Sequence, residues 1–455
     1  WHDVYLLNLK SGELKLVMQG DGFAGFVSDD DLQVRLAARP NAAGGMDYFS
    51  VTDGKVADKP TVSTGLEDVS TSPLGLTVDG KTLYWTDSRE RDTTALFAED
   101  LATGQRKLIA QDARADLGGT LRDPVTGVVQ AYAVEYLVNE WKFLDASLKA
   151  DFEWLQKQLG QGDVIVANRT RADDKWIVSI DRVSKVAATY LFDRKAKQLT
   201  ELYISRPELV GAPLVPMIPV EIKSRDGLTL PSYLTLPAGR DPKNLPLIVN
   251  IHGGPQVRGY TWSEWGRWPE AQFFAAHGYA VLEPEPRAST GYGRKLHASG
   301  FKQWGQAAQD DITDGALHLV KEGIVDRDRM CLHGGSYGGY ASLQGLVREP
   351  DLFKCAHSFV AVTDLGLMQT VAWSDIAENY KYDYLENEFK LEVGDSKDDA
   401  EMFQRVSPAR NADKIKGAVM LTMGSDDVRV PLIHGEKMRD TMVKAGKPIE
   451  WKVYA

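Results

Sequence analysis

The chain of 455 residues is 43% hydrophobic and 26% charged, enough for large cores and, at about 150 residues per domain, for two or three domains; we read two large ones. A net charge of −11 without a concentrated basic stripe excludes the usual footprint of a nucleic-acid binder. No window approaches the roughly 18 consecutive apolar residues of a membrane helix, and "WHDVYLLNLK" lacks the basic flank and apolar core of a signal peptide, so a soluble protein, cytoplasmic or periplasmic, is expected.

From residue 1 to about residue 205 one hairpin pattern recurs: an alternating strand, a polar turn, a second alternating strand. "VYLLNLKSGELKLV", "ALFAEDLATGQRKLI" and "TYLFDRKAKQLTEL" align on Asn8, Asp100 and Asp193, spaced by 92 and 93 residues, with weaker copies near Asp53 and Asp145. The underlying period of about 42–50 residues matches the four-stranded blade of a β-propeller, which buries its faces against neighbouring blades. "KTLYWTDS" and "KWIVSIDR" supply further strands after DG and DD turns. Residues 1–212 therefore read as a partial β-propeller of about four or five blades. A start inside a strand at Trp1 suggests that earlier blades are missing. Glu135 and Glu140 in "AVEYLVNEW" read first as solvated strand and loop charges.

Past the proline-rich "GAPLVPMIPVEI" the texture changes. "LPLIVNIHGG", "GYAVLEPEP", "RMCLHGG", "CAHSFVAV", "GAVMLTMGS" and "IEWKVYA" are short apolar runs ended by glycine or charge, and amphipathic stretches such as "DDITDGALHLVKEG" lie between them. Strand alternating with helix predicts a doubly wound, mostly parallel sheet over residues 213–455. "NIHGGP" ends one strand with glycines whose backbone can approach a ligand closely, and Arg258 and Arg267 follow near the expected cleft. Cys331 and Cys355 form no framework and no CxxC pair; they read as small buried residues, a single bridge between neighbouring strands being the alternative.

"GGSYGG", residues 334–339, follows an apolar run and precedes a helical one. A P-loop would need Lys and Ser or Thr after its last glycine, where Tyr340 and Ala341 stand; a dinucleotide fingerprint would need a GxG spacing that never occurs. What remains is GxSxG, read as Gly334, Ser336 and Gly338, on the sharp turn that lifts a nucleophilic serine above a sheet. That turn aims the Tyr337 amide at a developing oxyanion, and the Gly254 amide, with Gly253 as fallback, is the second donor from the "HGGP" loop. An acid should follow in the chain, and Asp426 and Asp427 at the tip of "LTMGSDD" are the candidates.

The base should come last. Of eight histidines, only His434 follows Asp427, seven residues on at the opening of a helix, where a surface or helix-cap role is expected. His252 precedes the serine and reads as structural. No metal or cofactor is required by this chemistry.

In these motifs the chain resembles the prolyl oligopeptidase family of serine peptidases, nearest its bacterial acylaminoacyl-peptidase and dipeptidyl-peptidase-like branch. The resemblance rests on "SRDGLTLPSYLTLPAG", "HGGP", "RASTGYG", "QWGQAAQDDITDG", "GGSYGGY" and "GSDDVRVP" in order. It implies a β-propeller capping an α/β-hydrolase domain, action on short peptides, Ser336 as nucleophile and Asp427 rather than Asp426 as acid. It also implies a histidine shortly after "EWKVYA", which places the base beyond Ala455, and leaves a homo-oligomer open. Propeller carboxylates hold the substrate amine in the family's dipeptidyl peptidases, which makes Glu135 and Glu140 candidates. The family usually has glycine where Ala288 stands, a change that is tolerated if the backbone there is not left-handed. Two other readings are an inactive propeller-hydrolase scaffold and an esterase on the same triad.

Overall fold

The structure, a computed structural model, describes residues 3–160, 162–182, 184–262, 268–371 and 383–455. Among the described residues, 4–204 form five successive antiparallel sheets of neighbouring strands, the most regular being Ser72–Leu76, Thr82–Asp87, Ala95–Asp100 and Arg106–Gln111, and Asp163–Arg169, Lys175–Arg182, Lys185–Asp193 and Gln198–Ile204. The repeat has a physical cause at its turns. Asn8 Oδ1 accepts from the amides of Lys10 and Ser11, Asp100 Oδ1 from those of Ala102 and Thr103, and Asp193 Oδ1 from those of Lys195 and Ala196. Each side chain thus substitutes for a backbone acceptor and closes the hairpin. Asp123, not recognised as a copy, does the same with Val125 and Thr126.

Asp145 departs from the repeat. It caps a helix over Ala146–Leu159, accepting from the Ser147 amide at 2.9 Å, so "KFLDASLKA" is a strand end and a helix start rather than a hairpin. The helix buries Leu148, Phe152 and Leu155 against Trp176 and Phe192. Each such side chain contributes about 1.5–3 kcal/mol of transfer free energy.

The second half is built on one eight-stranded sheet: β1 (Met217–Lys223), β2 (Thr229–Thr235), β3 (Leu245–Ile251), β4 (Ala280–Pro284), β5 (Val325–Gly335), β6 (Cys355–Phe359), β7 (Ala418–Gly424) and β8 (Ile449–Tyr454). Their spatial order is β1-β2-β4-β3-β5-β6-β7-β8, with β1-β2 and β2-β4 antiparallel and every later neighbour parallel. The parallel steps require long crossovers, and helices α1 (Ala307–Lys321), α2 (Tyr337–Arg348) and α3 (Ile433–Lys444) lie in three of them. The β4 strand is buried along its whole length, which explains its apolar Ala280–Leu282 run, and its buried Glu283 accepts from Asn250 of β3 at 3.0 Å. Parallel strands end together, so the loops after β3, β5, β6 and β7 collect at one edge of the sheet, where ligands of such sheets bind.

The cysteines correct the favoured reading. Cys331 on β5 and Cys355 on β6 are register partners with Cα atoms 4.7 Å apart, and they form a disulfide.

Candidate active site

Ser336 stands between β5 and α2 with φ 56° and ψ −118°, a conformation that costs a non-glycine residue roughly 1–3 kcal/mol. Its neighbours leave it little choice. The Ser336 amide donates to the Phe359 carbonyl at 3.1 Å, and its own carbonyl accepts from the Tyr340 amide at 3.0 Å. The flanking glycines are there for contact: a Cβ on Gly334 would lie 2.4 Å, and one on Gly338 1.9 Å, from the Ile251 carbonyl oxygen of β3. Helix α2 can begin that close to the strand only without side chains there. Ser336 lines a cavity of about 270 Å³ with His252, Gly253, Tyr260, Glu270 and Phe359, and its hydroxyl makes no hydrogen bond among the described residues.

Asp427 lies three residues past the end of β7, two strands from the nucleophile at the same sheet edge. Its Oδ1 accepts from the amides of Arg429 and Val430, both at 2.9 Å, which fixes the carboxylate, while Oδ2 accepts nothing among the described residues. Asp426 is exposed, and among the described residues only the neighbouring Ser425 hydroxyl bonds to it. A third carboxylate at this edge, Asp364, was not singled out from sequence. Arg410 takes both of its oxygens, at 2.7 and 2.8 Å, and Lys437 pairs with it as well, which leaves it no oxygen for a base.

His434 is not at the surface. It is 2% exposed in the first turn of α3, and its Nδ1 accepts from the Thr363 amide at 3.2 Å. Desolvation drives its pKa down to about 4, against the pull of Asp364 and Asp427, so the ring is neutral. His333 and His357 face each other across β5 and β6, Nδ1 to Nδ1 at 3.0 Å. Among the described residues no histidine hydrogen-bonds the Ser336 hydroxyl or the Asp427 carboxylate.

The loop after β3 brings Gly253 to the nucleophile: a Cβ there would stand 3.5 Å from the Ser336 Cβ and 4.0 Å from its Oγ. Gly254, at φ 116° before a cis peptide to Pro255, has Val257 and Gln256 as its nearest neighbours instead. His252 is structural in its contacts. Its Nδ1 lies 2.7 Å from the Gly253 carbonyl and its Nε2 3.3 Å from Glu285 Oε2, with both side chains fully buried. Burial alone would raise the Glu285 pKa, but His252 and Arg258 hold it below the usual carboxylate range.

Glu135 is not a plain solvated charge. Its carboxylate lies 3.9 Å from Arg258 Nε, at the junction of the two halves. Glu140 pairs with Lys142 and Arg114 at 2.8 and 3.3 Å, as a surface strand charge does. Arg267 lies outside the described residues. Ala288 has φ 85° and is buried, so the backbone is left-handed where the sequence reading required that it not be; the alanine is accommodated under strain.

This edge, a serine on a strand-turn-helix beside a glycine loop and a fixed carboxylate, has the layout of serine hydrolases. Residues 263–455 match the model described as the prolyl oligopeptidase family, Peptidase_S9. Over the whole chain the sequence is 40% identical to dipeptidyl aminopeptidase BIII of Pseudoxanthomonas mexicana, covering 66% of that protein. It is 27% identical to dipeptidyl peptidase family member 6 of Caenorhabditis elegans, covering all of the chain and 64% of the relative. The chain thus spans about two thirds of the length of these relatives. A Mycobacterium tuberculosis puromycin-hydrolyzing peptidase shares the fold with a TM-score of 0.75 at 19% identity, over 98% of this chain and 67% of that one. Pyrococcus horikoshii acylaminoacyl peptidase does so at 0.65 and 17%, over 100% and 80%. The chain belongs to the prolyl oligopeptidase family.

Proposed function

We propose that the protein is a serine peptidase that cleaves short peptides through an acyl-enzyme on Ser336. The observation that carries this reading is the strained elbow: a serine held at positive φ, its hydroxyl on a cavity beside Gly253. In the proposed cycle Ser336 Oγ attacks the scissile carbonyl and gives its proton to a histidine, which passes it to the leaving amine; water then hydrolyses the ester by the same route. Asp427 orients that histidine. The oxyanion donors are the amide of Tyr337, which opens α2, and the amide of Gly254 on the Gly253–Gly254 peptide.

The five meanders fit the role of propeller blades and the mixed sheet that of a doubly wound hydrolase core, dividing the chain at 212/213. The strand-to-strand disulfide favours an oxidising compartment, hence the periplasm over the cytoplasm. The relatives' names favour a dipeptidyl or acylaminoacyl specificity. Turnover of free-amino dipeptide amides, acyl-peptides and simple esters compared side by side tests this, and hydrolysis of esters alone would sink the peptidase reading.

A further inference from the structure

The loop that carries the second oxyanion amide is tied at one end to the hydrolase sheet and in its middle to the other half of the molecule. At its start, His252 Nδ1 lies 2.7 Å from the Gly253 carbonyl. In a trans peptide the carbonyl and the following N–H point in opposite directions, so holding the Gly253 oxygen also sets where the Gly254 N–H points. His252 is itself held by Glu285, whose Oε2 lies 3.3 Å from Nε2. The same Glu285 carboxylate accepts from the amides of Gly259 and Tyr260, at 3.1 and 2.5 Å. One buried carboxylate therefore closes the loop from 252 to 260. Gly259 completes the fit, because a Cβ there would stand 2.1 Å from the His252 ring.

Arg258 sits directly before that closure and points the other way. Its Nη1 and Nη2 donate to the carbonyls of Glu135 and Tyr136, both at 2.5 Å, and its guanidinium lies 4.4 Å from the centroid of the Tyr292 ring. Those carbonyls belong to the end of the strand Val129–Glu135 and the turn after it, in the meander half. The planar fork matches two adjacent carbonyls in a way that an ammonium cannot. Separating the two halves would break both of these charge-assisted hydrogen bonds, leaving Arg258, among the described residues, only its Nε bond to the Tyr260 carbonyl of its own loop at 3.4 Å.

We propose that Arg258 is a positioning residue that makes the oxyanion loop dependent on docking of the meander half: the halves must be seated for the Gly253–Gly254 peptide to hold its catalytic orientation. This rests on the serine-peptidase reading above, and it adds that catalysis, rather than substrate affinity, senses the seating of the two halves.

The test uses the protein and four variants. Arg258→Met should lower kcat by about 10–100-fold, the range for a displaced oxyanion donor, with KM changed less than about threefold. Hydrogen exchange at the amides of residues 256–260 should quicken. Arg258→Lys should fall between Met and the parent, and remains interpretable if the Met variant folds poorly. Arg294→Met breaks a second junction, the pairing of Arg294 with Glu67 at 2.7 Å and Asp68 at 3.3 Å, without touching this loop, and should leave kcat and loop exchange unchanged. An unchanged kcat in Arg258→Met, a rise in KM alone, or an equal loss in Arg294→Met with no quickening of exchange at residues 256–260 in Arg258→Met would overturn the role given to Arg258. Turnover surviving in Ser336→Ala would instead sink the underlying peptidase reading, while the exchange result would still report on the loop.

Discussion

Ser336 is held at a backbone conformation that a serine would not choose, by the hydrogen bond its N–H donates to the Phe359 carbonyl and by a helix packed against β3 with no room for side chains at Gly334 and Gly338. Gly338→Ala places a methyl against the Ile251 carbonyl, a backbone atom that cannot swing away. It should cost about 3 kcal/mol or prevent folding, as read by urea unfolding. Ala288 sits at φ 85° for opposite stakes. Ala288→Gly relieves about 1–2 kcal/mol of left-handed strain but gives up about 0.8 kcal/mol of buried methyl and about 0.4–1 kcal/mol of unfolded-state entropy. The terms nearly cancel, so the urea midpoint should hardly move; a large change in either direction would show that the strain has been misjudged.

His434 gives the residue scale its pH dependence. Its folded pKa of about 4 lies below the ordinary 6.5, so between those values the unfolded ring takes up a proton that the folded one refuses. Stability from this site is complete above pH 6.5 and is lost as pH falls towards 4. Between pH 7 and pH 5 the loss should be about 2 kcal/mol, and His434→Asn, which keeps an acceptor for the Thr363 amide, should flatten it. The placement of Ser336 on a strand-turn-helix and of Asp427 just past a strand end was legible from sequence, because glycine spacing and strand patterning constrain both. The burial of His434 was not, because a helix-opening histidine looks the same whether its face meets solvent or Thr363. Left-handed backbone at Ala288 leaves no mark on residue type at all.

At the scale of elements, hairpin turns were readable because the chemistry is local: Asn8, Asp100 and Asp193 close their turns through their own side chains. Asp145 carries the same side chain but caps a helix, since an aspartate accepting from amides two and three residues on serves a turn or a helix start equally well. The disulfide was underweighted because cysteines 24 residues apart announce neither adjacency nor register; β5 and β6 supply both. Thiol titration of the denatured, unreduced protein should find no free thiol, and reduction should cost about 3 kcal/mol of stability. Two titratable thiols would remove the argument for an oxidising compartment.

For the whole molecule, the junction between the two halves was the least legible part. Arg258 and Glu135 are 123 residues apart in sequence, and no local pattern says that the guanidinium of one meets the carbonyl of the other. Yet that junction adjoins the loop beside Ser336 through Arg258. Tyr136 extends the contact, its hydroxyl donating to Glu221 Oε1 at 2.6 Å. Tyr233 donates to the Leu137 carbonyl at 3.0 Å.

The central claim is that Ser336 is the nucleophile, and the most direct measurement is covalent labelling of the full-length protein with a fluorophosphonate, followed by peptide mapping. One adduct is expected, on Ser336, lost in a folded Ser336→Ala variant together with peptide turnover. An unlabelled Ser336, or label and turnover that persist in Ser336→Ala, would contradict it.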